Sequence, residues 1–243
     1  MKKIWILLAF LPELLIGQNP SAERIIEQID RNMASKSRIL TATMVVHAER
    51  GSRTMEMKVW SEGEKRSFTE YLSPARDKGT KMLKLADQLW LFSPSADRII
   101  QISGHMLRQS VMGSDLSYED MMDDRKLTDV YKATVIGPDV LDNRNCWVLE
   151  LRAKAEDVAY FMRRMWIDQE RNIPLKEEWY AKAGKLLKQT TLTDVKKIDG
   201  RWFPTRMVYK DMLKTGAGTE FIINEIKFDE TIPESLFSKA ALR

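Results

Sequence analysis

S-A-D-R-I-I-Q-I-S-G-H-M-L-R-Q-S-V-M-G-S-D-L-S-Y-E-D-M-M, the stretch from Ser95 to Met122, interrupts the otherwise regular pattern of this 243-residue chain. Its beginning, Arg98–Ile102, alternates in the manner of a β-strand. The remainder is rich in methionine, is interrupted by two glycines and ends in a helix start signal. Strand after strand is predicted on either side. We therefore interpret Gly104–Met122 as a lid over an apolar interior, with hinges at Gly104 and Gly113.

The flanking sequence predicts a mainly β protein. Apolar residues recur at every second position in six segments before the lid and in seven after it, separated by turn signals such as Gly137-Pro138 and Asp199-Gly200. This spacing is typical of a sandwich or barrel of about 11–13 strands. Ser21 precedes an i, i+3, i+4, i+7 apolar pattern that predicts an N-terminal helix, and Pro233–Lys239 predicts a short closing helix.

The N-terminus has the pattern of an export signal. Lys2 and Lys3 precede a short apolar run, and small or polar residues follow from Gly17. The run is shorter than the ~20 residues that span a bilayer. We expect a signal peptide at residues 1–17, cleaved near Gly17, and one domain at 18–243. The alternative is an uncleaved N-terminal anchor.

Composition excludes several classes of function. The formal charge of +4 is spread along the chain, so no nucleic-acid partner is expected. The single cysteine, Cys146, lies in an apolar run and predicts a buried, inert thiol. His47 and His105 have no metal-ligand spacing, and no phosphate loop, nucleophile elbow or zinc signature occurs. We expect neither an enzyme nor a cofactor or metal site.

The acidic residues near the end of the lid are the densest in the chain. Because Ser117-Tyr118-Glu119-Asp120 is typical of an N-cap with acids in the first helical turn, we interpret the group as helix-start chemistry. A calcium site and an enzyme that uses these carboxylates are the alternatives, although the spacing of an EF-hand is absent. The group consists of Asp115, Glu119, Asp120, Asp123 and Asp124.

Methionine is concentrated in the lid and on strands near it. Its flexible thioether suits surfaces that accept varied apolar ligands. Residue type alone does not distinguish a ligand-lined cavity from an ordinary core. The methionines concerned are Met44, Met55, Met57, Met82, Met106, Met112, Met121 and Met122.

Three passages carry a resemblance to a known family. They are L-S-P-A-R-D-K-G-T-K-M-L (72–83), D-Q-L-W-L-F-S-P (87–94) and M-G-S-D-L-S-Y-E-D-M (112–121). Together with the order of the predicted elements, they resemble a divergent branch of the outer-membrane lipoprotein-sorting (LolA-like) family, over nearly the whole chain after the signal.

This resemblance implies an incomplete, strongly curved antiparallel β-barrel, covered by an N-terminal helix and a helical lid over an apolar cavity. It also implies a periplasmic carrier that moves acyl chains of lipoproteins or lipids between membranes. We expect a monomer that works with an inner-membrane transporter and an outer-membrane acceptor. The alternative function is a sensing module that binds a lipid or lipoprotein and regulates a membrane complex such as an exporter.

Candidate acyl-binding residues come from the strands and from the lid. Strands such as Leu89-Trp90-Leu91-Phe92 are apolar at consecutive positions, so the sequence does not decide which side faces the cavity. The strand candidates are Met55, Met57, Phe68, Leu83, Leu85, Trp90, Phe92, Ile100 and Ile102. The lid candidates are Met106, Leu107, Met112, Leu116 and Met121.

Overall fold

The computed structural model describes residues 20–123 and 125–243. The predicted signal peptide and Asp124 of the acidic group lie outside the described residues.

One antiparallel sheet of thirteen strands forms the body of the protein. The sheet is not closed, in agreement with the predicted incomplete barrel and strand number. Its strands are β1 (Ser37–Ala48), β2 (Gly51–Glu62), β3 (Arg66–Ser73), β4 (Lys81–Leu85), β5 (Gln88–Ser93), β6 (Arg98–Ile102), β7 (Tyr131–Leu141), β8 (Arg144–Ala153), β9 (Met162–Asp168), β10 (Pro174–Tyr180), β11 (Leu186–Ile198), β12 (Arg201–Asp211) and β13 (Gly218–Phe228).

The helices are few and short. The first, α1 (Ala22–Met33), begins where predicted, because the Ser21 hydroxyl accepts a hydrogen bond from the Arg24 backbone N–H at 3.2 Å. None of the described helices is long and apolar enough to span a membrane. The others are α2 (Tyr118–Met122), α3 (Leu127–Val130) and 3-10 helices at Gly104–Arg108, Val111–Gly113, Glu234–Phe237 and Lys239–Leu242.

The strand order is β6-β5-β4-β3-β2-β1-β13-β12-β11-β10-β9-β8-β7. The first and last strands therefore pair in the middle of the sheet, from Arg38 opposite Phe228 to His47 opposite Gly218. Among residues 20–123 and 125–243, the strands at the two edges of the sheet are β6 and β7, which are consecutive in the chain. The lid lies in the connection between these edges.

Gly137-Pro138 is not the turn that the sequence predicts. Both residues lie inside β7, where the register against β8 shifts between Val135 and Gly137. Proline lacks a backbone N–H and is tolerated on an edge strand or at a bulge. Since β8 is the one neighbour of β7 among the described strands, β7 accommodates both residues without losing a ladder partner.

The two faces of the sheet have different covers. We call the face under α1 and the lid the inner face. Here α1 buries Ile25, Ile26 and Ile29 against β8 and β9, and the lid packs on β1 to β6. On the outer face, the C-terminal residues Ile232, Phe237 and Leu242 pack on β3, β4 and β5; Phe68, Leu83 and Trp90 are their main contacts.

Candidate ligand-binding site

The Gly113-Ser114-Asp115 motif anchors the lid to β12 and β13. Asp115 is buried, and its carboxylate accepts hydrogen bonds from the Thr219 hydroxyl at 2.7 Å and from the Asp211 backbone N–H at 2.9 Å. Gly113 has φ +76°, which favours glycine. Asp115 therefore joins two elements, and its assignment to helix-start chemistry is wrong.

Two basic residues of the inner face bind backbone carbonyls of the lid. The Arg53 guanidinium donates to the carbonyl of Met112. The ammonium of Lys84, a buried residue, lies 3.5 and 3.4 Å from the carbonyl oxygens of Met121 and Met122, at the end of α2. Carbonyls at a helix end have no partner within the helix, so a cation there is a favourable donor.

Lys214, in the turn between β12 and β13, makes a further connection. Its ammonium donates to the Ser110 hydroxyl at 2.5 Å and to the Ser114 carbonyl at 2.6 Å. The lid is therefore attached to the sheet by a small number of polar contacts at separate points. Each such hydrogen bond contributes about 1 kcal/mol.

Ser117 is the N-cap that the sequence predicts, and Asp120 is one of the predicted first-turn acids. Ser117 and Asp120 form a reciprocal capping box at the start of α2. The Asp120 carboxylate also pairs with Lys188 and accepts a hydrogen bond from the Tyr160 hydroxyl at 2.6 Å. Burial alone raises the pKa of Asp120, but the Lys188 charge and these hydrogen bonds outweigh it and hold the pKa below its usual value.

Two further polar residues singled out in the sequence have structural partners. Asp123 pairs with Arg125 at 3.1 Å, and the two ring nitrogens of His47 lie 2.8 Å from Ser52 and 2.9 Å from Glu220. In the part of the chain that the structure describes, no three His, Cys, Asp or Glu side chains are grouped to hold a metal ion. Cys146 is buried, as predicted, which raises the pKa of its thiol to about 11.

All eight methionines singled out in the sequence meet between the lid and the sheet. Met44, Met55, Met57 and Met82 are buried on the inner face. Met106, Met112, Met121 and Met122 of the lid pack against the same cluster. We call these eight residues the methionine cluster. Its flexible side chains form an apolar layer that can rearrange if the lid moves.

The predicted candidates divide between the two faces. The inner face brings together Met55, Met57, Ile102 and, from the lid, Met106, Leu107, Met112 and Met121. Ile100 is also on the inner face, since it pairs with Leu91, which packs under the lid, but Ile100 is 39% exposed. Leu116 lies apart from the cluster and lines a cavity beside the lid.

Five strand candidates point away from the lid. Phe68, Leu83, Leu85, Trp90 and Phe92 lie on the outer face and pack against the C-terminal segment. Strands β4 and β5 are apolar on both sides because each face has its own cover. For this reason the alternation of residue types does not show which side of these strands faces the lid. The five residues are not part of the proposed site.

Several inner-face residues were absent from the predicted set. Tyr71, Met82 and Leu89 are buried among the inner-face residues under the lid. Arg53, Lys84 and Lys214 hold the lid by hydrogen bonds. The pairing of Met44 with Met55 and of Ala42 with Met57 places the inward side of β1 and β2 in one register. Had this register been known, the side of the sheet that each residue of the neighbouring strands faces would have followed from it.

A large cavity lies beside the lid. It has a volume of about 690 Å³ and includes Leu116, Leu187 and Leu213 together with charged residues such as Lys188 and Lys214. A second cavity of about 310 Å³ adjoins it at Tyr160. Beneath the lid, by contrast, the methionine cluster fills the interior: Met55 is 0% and Met57 3% exposed. The structure therefore has the lid packed on the sheet.

Residues 63–243 match the model of a protein family described as "Uncharacterized protein". No curated protein matches the chain significantly in sequence. Among solved structures, a DUF1329 family protein from Desulfovibrio piger has a TM-score of 0.82 and 24% identity, with 90% of this chain and 97% of that chain covered.

Two further structures have the same fold. One, from Vibrio parahaemolyticus, is described as an outer membrane lipoprotein-sorting protein domain (TM-score 0.79, 26% identity, 91% and 97% covered). The other is a LolA superfamily protein from Nitrosomonas europaea (TM-score 0.74, 24% identity, 92% and 100% covered). The chain thus belongs to the family whose model matches residues 63–243, and it has the fold of these lipoprotein-sorting and LolA superfamily structures.

Proposed function

We propose that the protein binds acyl chains of lipids or lipoproteins between the lid and the inner face and carries them between membranes. The observation that carries this proposal is the methionine cluster, which joins four sheet residues to four lid residues. Such a layer adapts to chains of different shape. The similar lipoprotein-sorting domain supports the choice of cargo.

The free energy of burying an acyl chain is large enough to favour a lid that opens for cargo. An acyl chain contributes about 0.8 kcal/mol for each methylene it buries, so ten methylenes contribute about 8 kcal/mol. The lid's polar anchors at Arg53, Lys84, Asp115 and Lys214 contribute about 1 kcal/mol per hydrogen bond, and the Asp120–Lys188 pair adds a charged contact. An acyl chain that replaces lid side chains on the inner face offsets the loss of these contacts.

No covalent step is needed in this function. The protein acts as a binding protein rather than an enzyme, and the acyl chain leaves for a membrane or partner that binds it equally well. We place this activity in the periplasm, with an inner-membrane transporter as donor and an outer-membrane protein as acceptor.

Two measurements test the proposal. Organic extracts of the purified protein are analysed by mass spectrometry, and binding of a fluorescent fatty-acyl probe is titrated. We expect co-purified lipid or saturable probe binding, with competition between the two. Repeated absence of both would reject acyl binding.

A second function is favoured by the filled interior beneath the lid. A module that senses a lipid or lipoprotein and regulates a membrane complex does not need to hold cargo through a transfer step. A liposome assay distinguishes the functions: a carrier moves labelled lipid from donor to acceptor vesicles in proportion to its concentration, whereas a sensor binds lipid without moving it.

A further inference from the structure

The two cavities beside the lid border the methionine cluster. Both are lined by Glu119, Asp157, Ala159 and Tyr160, and the smaller one also reaches Met122, a member of the cluster. At about 690 and 310 Å³, they have the size of small-molecule sites. A molecule whose apolar part lies between the lid and the inner face can therefore place its polar part in these cavities.

Most of the charged side chains that line these cavities are already bound within the protein. Asp115 and Lys214 form the lid anchors, and the Asp211 carboxylate accepts a hydrogen bond from the Leu213 backbone N–H at 2.9 Å. A ligand that bound any of these groups would have to displace the existing partner. The ion pairs at the cavities are Asp120 with Lys188, Asp123 with Arg125, Glu156 with Lys182 and Arg163 with Glu177.

Three charged side chains of the cavity walls remain without such a partner. In the part of the chain that the structure describes, the side chains of Glu119, Asp157 and Arg108 form no hydrogen bond or ion pair. Glu119 and Asp157 line both cavities, whereas Arg108 lines the larger one. The charge that is left for a ligand is therefore negative where the two cavities meet.

Aromatic rings form part of the wall next to these acids. Tyr160 and Trp179 line the smaller cavity, and their ring centroids are 4.8 Å apart. Burial and the Asp120 carboxylate raise the pKa of the Tyr160 phenol, and the charge of Glu119 raises it further. The Glu119 carboxylate therefore lies near a partly aromatic wall, where its attraction for a cation is stronger than in bulk water.

We propose that these cavities bind the polar headgroup of the cargo and that this headgroup carries a primary ammonium group. The ammonium donates charge-assisted hydrogen bonds to the carboxylates of Glu119 and Asp157. Arg108 is available to a phosphate of the same headgroup. An aminophospholipid such as phosphatidylethanolamine has both groups. The assignment of this lipid as cargo rests on the proposed function, whereas the binding of the ammonium group does not.

The test is calorimetric titration of the purified protein with dihexanoyl phosphatidylethanolamine, and with the phosphatidylcholine and phosphatidylglycerol that have the same acyl chains. We expect phosphatidylethanolamine to bind most tightly, because the choline group has no N–H to donate and the glycerol headgroup has no cation. The double substitution Glu119→Gln, Asp157→Asn should reduce the affinity for phosphatidylethanolamine by about tenfold or more, since it removes two charged acceptors. It should not reduce the affinity for phosphatidylglycerol.

The matched control is the double substitution Glu23→Gln, Asp129→Asn. It removes the same two charges from exposed acids in the first turns of α1 and α3, and neither residue lines the two cavities. We expect the control to keep the preference for phosphatidylethanolamine. The ammonium site is overturned if phosphatidylethanolamine binds no more tightly than either other lipid, if the Glu119 and Asp157 variant keeps the preference, or if the control loses it equally.

Glycerophosphoethanolamine, the same headgroup without acyl chains, separates this inference from the proposed function. If it binds to a protein that takes up no acyl probe, the ammonium site stands and the proposed function is rejected. If the protein takes up the acyl probe but has no preference among the headgroups, the proposed function stands and the ammonium site is rejected.

Discussion

The Thr219 hydroxyl both donates to the Asp115 carboxylate at 2.7 Å and accepts from the Asp115 backbone N–H at 3.0 Å, in a site where Thr219 is fully buried. Thr219→Val removes both hydrogen bonds at nearly constant volume. We expect a loss of about 1–3 kcal/mol in the free energy of unfolding, because buried polar groups of Asp115 lose a partner. Urea denaturation measures the loss, and hydrogen exchange of residues 110–118 should quicken.

Thr43→Val is the control for this substitution. The Thr43 hydroxyl accepts a hydrogen bond from Asn224 at 3.0 Å at an exposed position, where water can replace it. Its loss should be within about 0.5 kcal/mol. Equal losses for the two threonines would contradict the anchoring role of Thr219.

The Asp120–Lys188 pair predicts a stability that depends on pH. The folded-state pKa of Asp120 is lowered, so the pair stabilises the protein above the unfolded pKa of about 4, and this contribution is lost as the pH falls through the folded pKa. Asp120→Asn leaves Lys188 buried without its charge partner and should cost about 3–5 kcal/mol at pH 7. The difference from the wild type should shrink when thermal unfolding is compared at pH 3.

A second substitution separates charge from packing at this site. Lys188→Met in the Asp120→Asn background removes the unpaired ammonium and should recover part of the lost stability at pH 7. The ion pair is not the cause of the stability loss if Lys188→Met recovers no stability. The same conclusion follows if Asp120→Asn differs from the wild type by the same amount at pH 7 and pH 3.

The two faces of the sheet predict different effects on ligand binding. Met57→Ala and Leu83→Ala both truncate buried side chains, at 3% and 0% exposure, and each should cost about 2–5 kcal/mol of stability. Only Met57 belongs to the methionine cluster, so only Met57→Ala should alter the affinity for a fluorescent acyl probe. A change in affinity for Leu83→Ala alone would place the site on the outer face.

Two glycines of left-handed conformation give a matched pair for the β12–β13 turn. Gly216 has φ +96° and Gly200 has φ +81°, so alanine strains the backbone at both. At Gly216 an added Cβ would also lie 2.4 Å from the His47 carbonyl oxygen, whereas at Gly200 it meets nothing within 4 Å. Gly216→Ala should therefore lower the melting temperature more than Gly200→Ala. Equal melting temperatures would contradict the close approach of this turn to β1.

Much of this fold can be predicted from the sequence, because strand alternation and turn residues are local signals. Thirteen strands and the N-cap at Ser21 follow from them. Gly137-Pro138 was misread because a bulge on an edge strand uses the same residues as a turn. Edge position is a property of the whole sheet, and no window of sequence shows it.

The candidate site was predicted in part for a similar reason. The methionines identify the lid and the inner face together. Leu83 and Trp90 are candidates that face outward, because their own strands do not show that the C-terminal segment covers the outer face. The roles of Asp115 and Lys214 depend on contacts with residues far along the chain. Spacing in the sequence carries no information on such pairs.

The pairing of β1 with β13 has a consequence for synthesis and folding. The centre of the sheet stays incomplete until the last strand of the chain has been made, because β1 has no neighbour on one side before then. Contacts between such distant residues are slow to form, and an unpaired central strand is prone to aggregate. A nascent chain of this protein is therefore exposed to misassembly from the synthesis of β1 until that of β13, and it would gain more from a holding chaperone than one whose sheet grows from an edge.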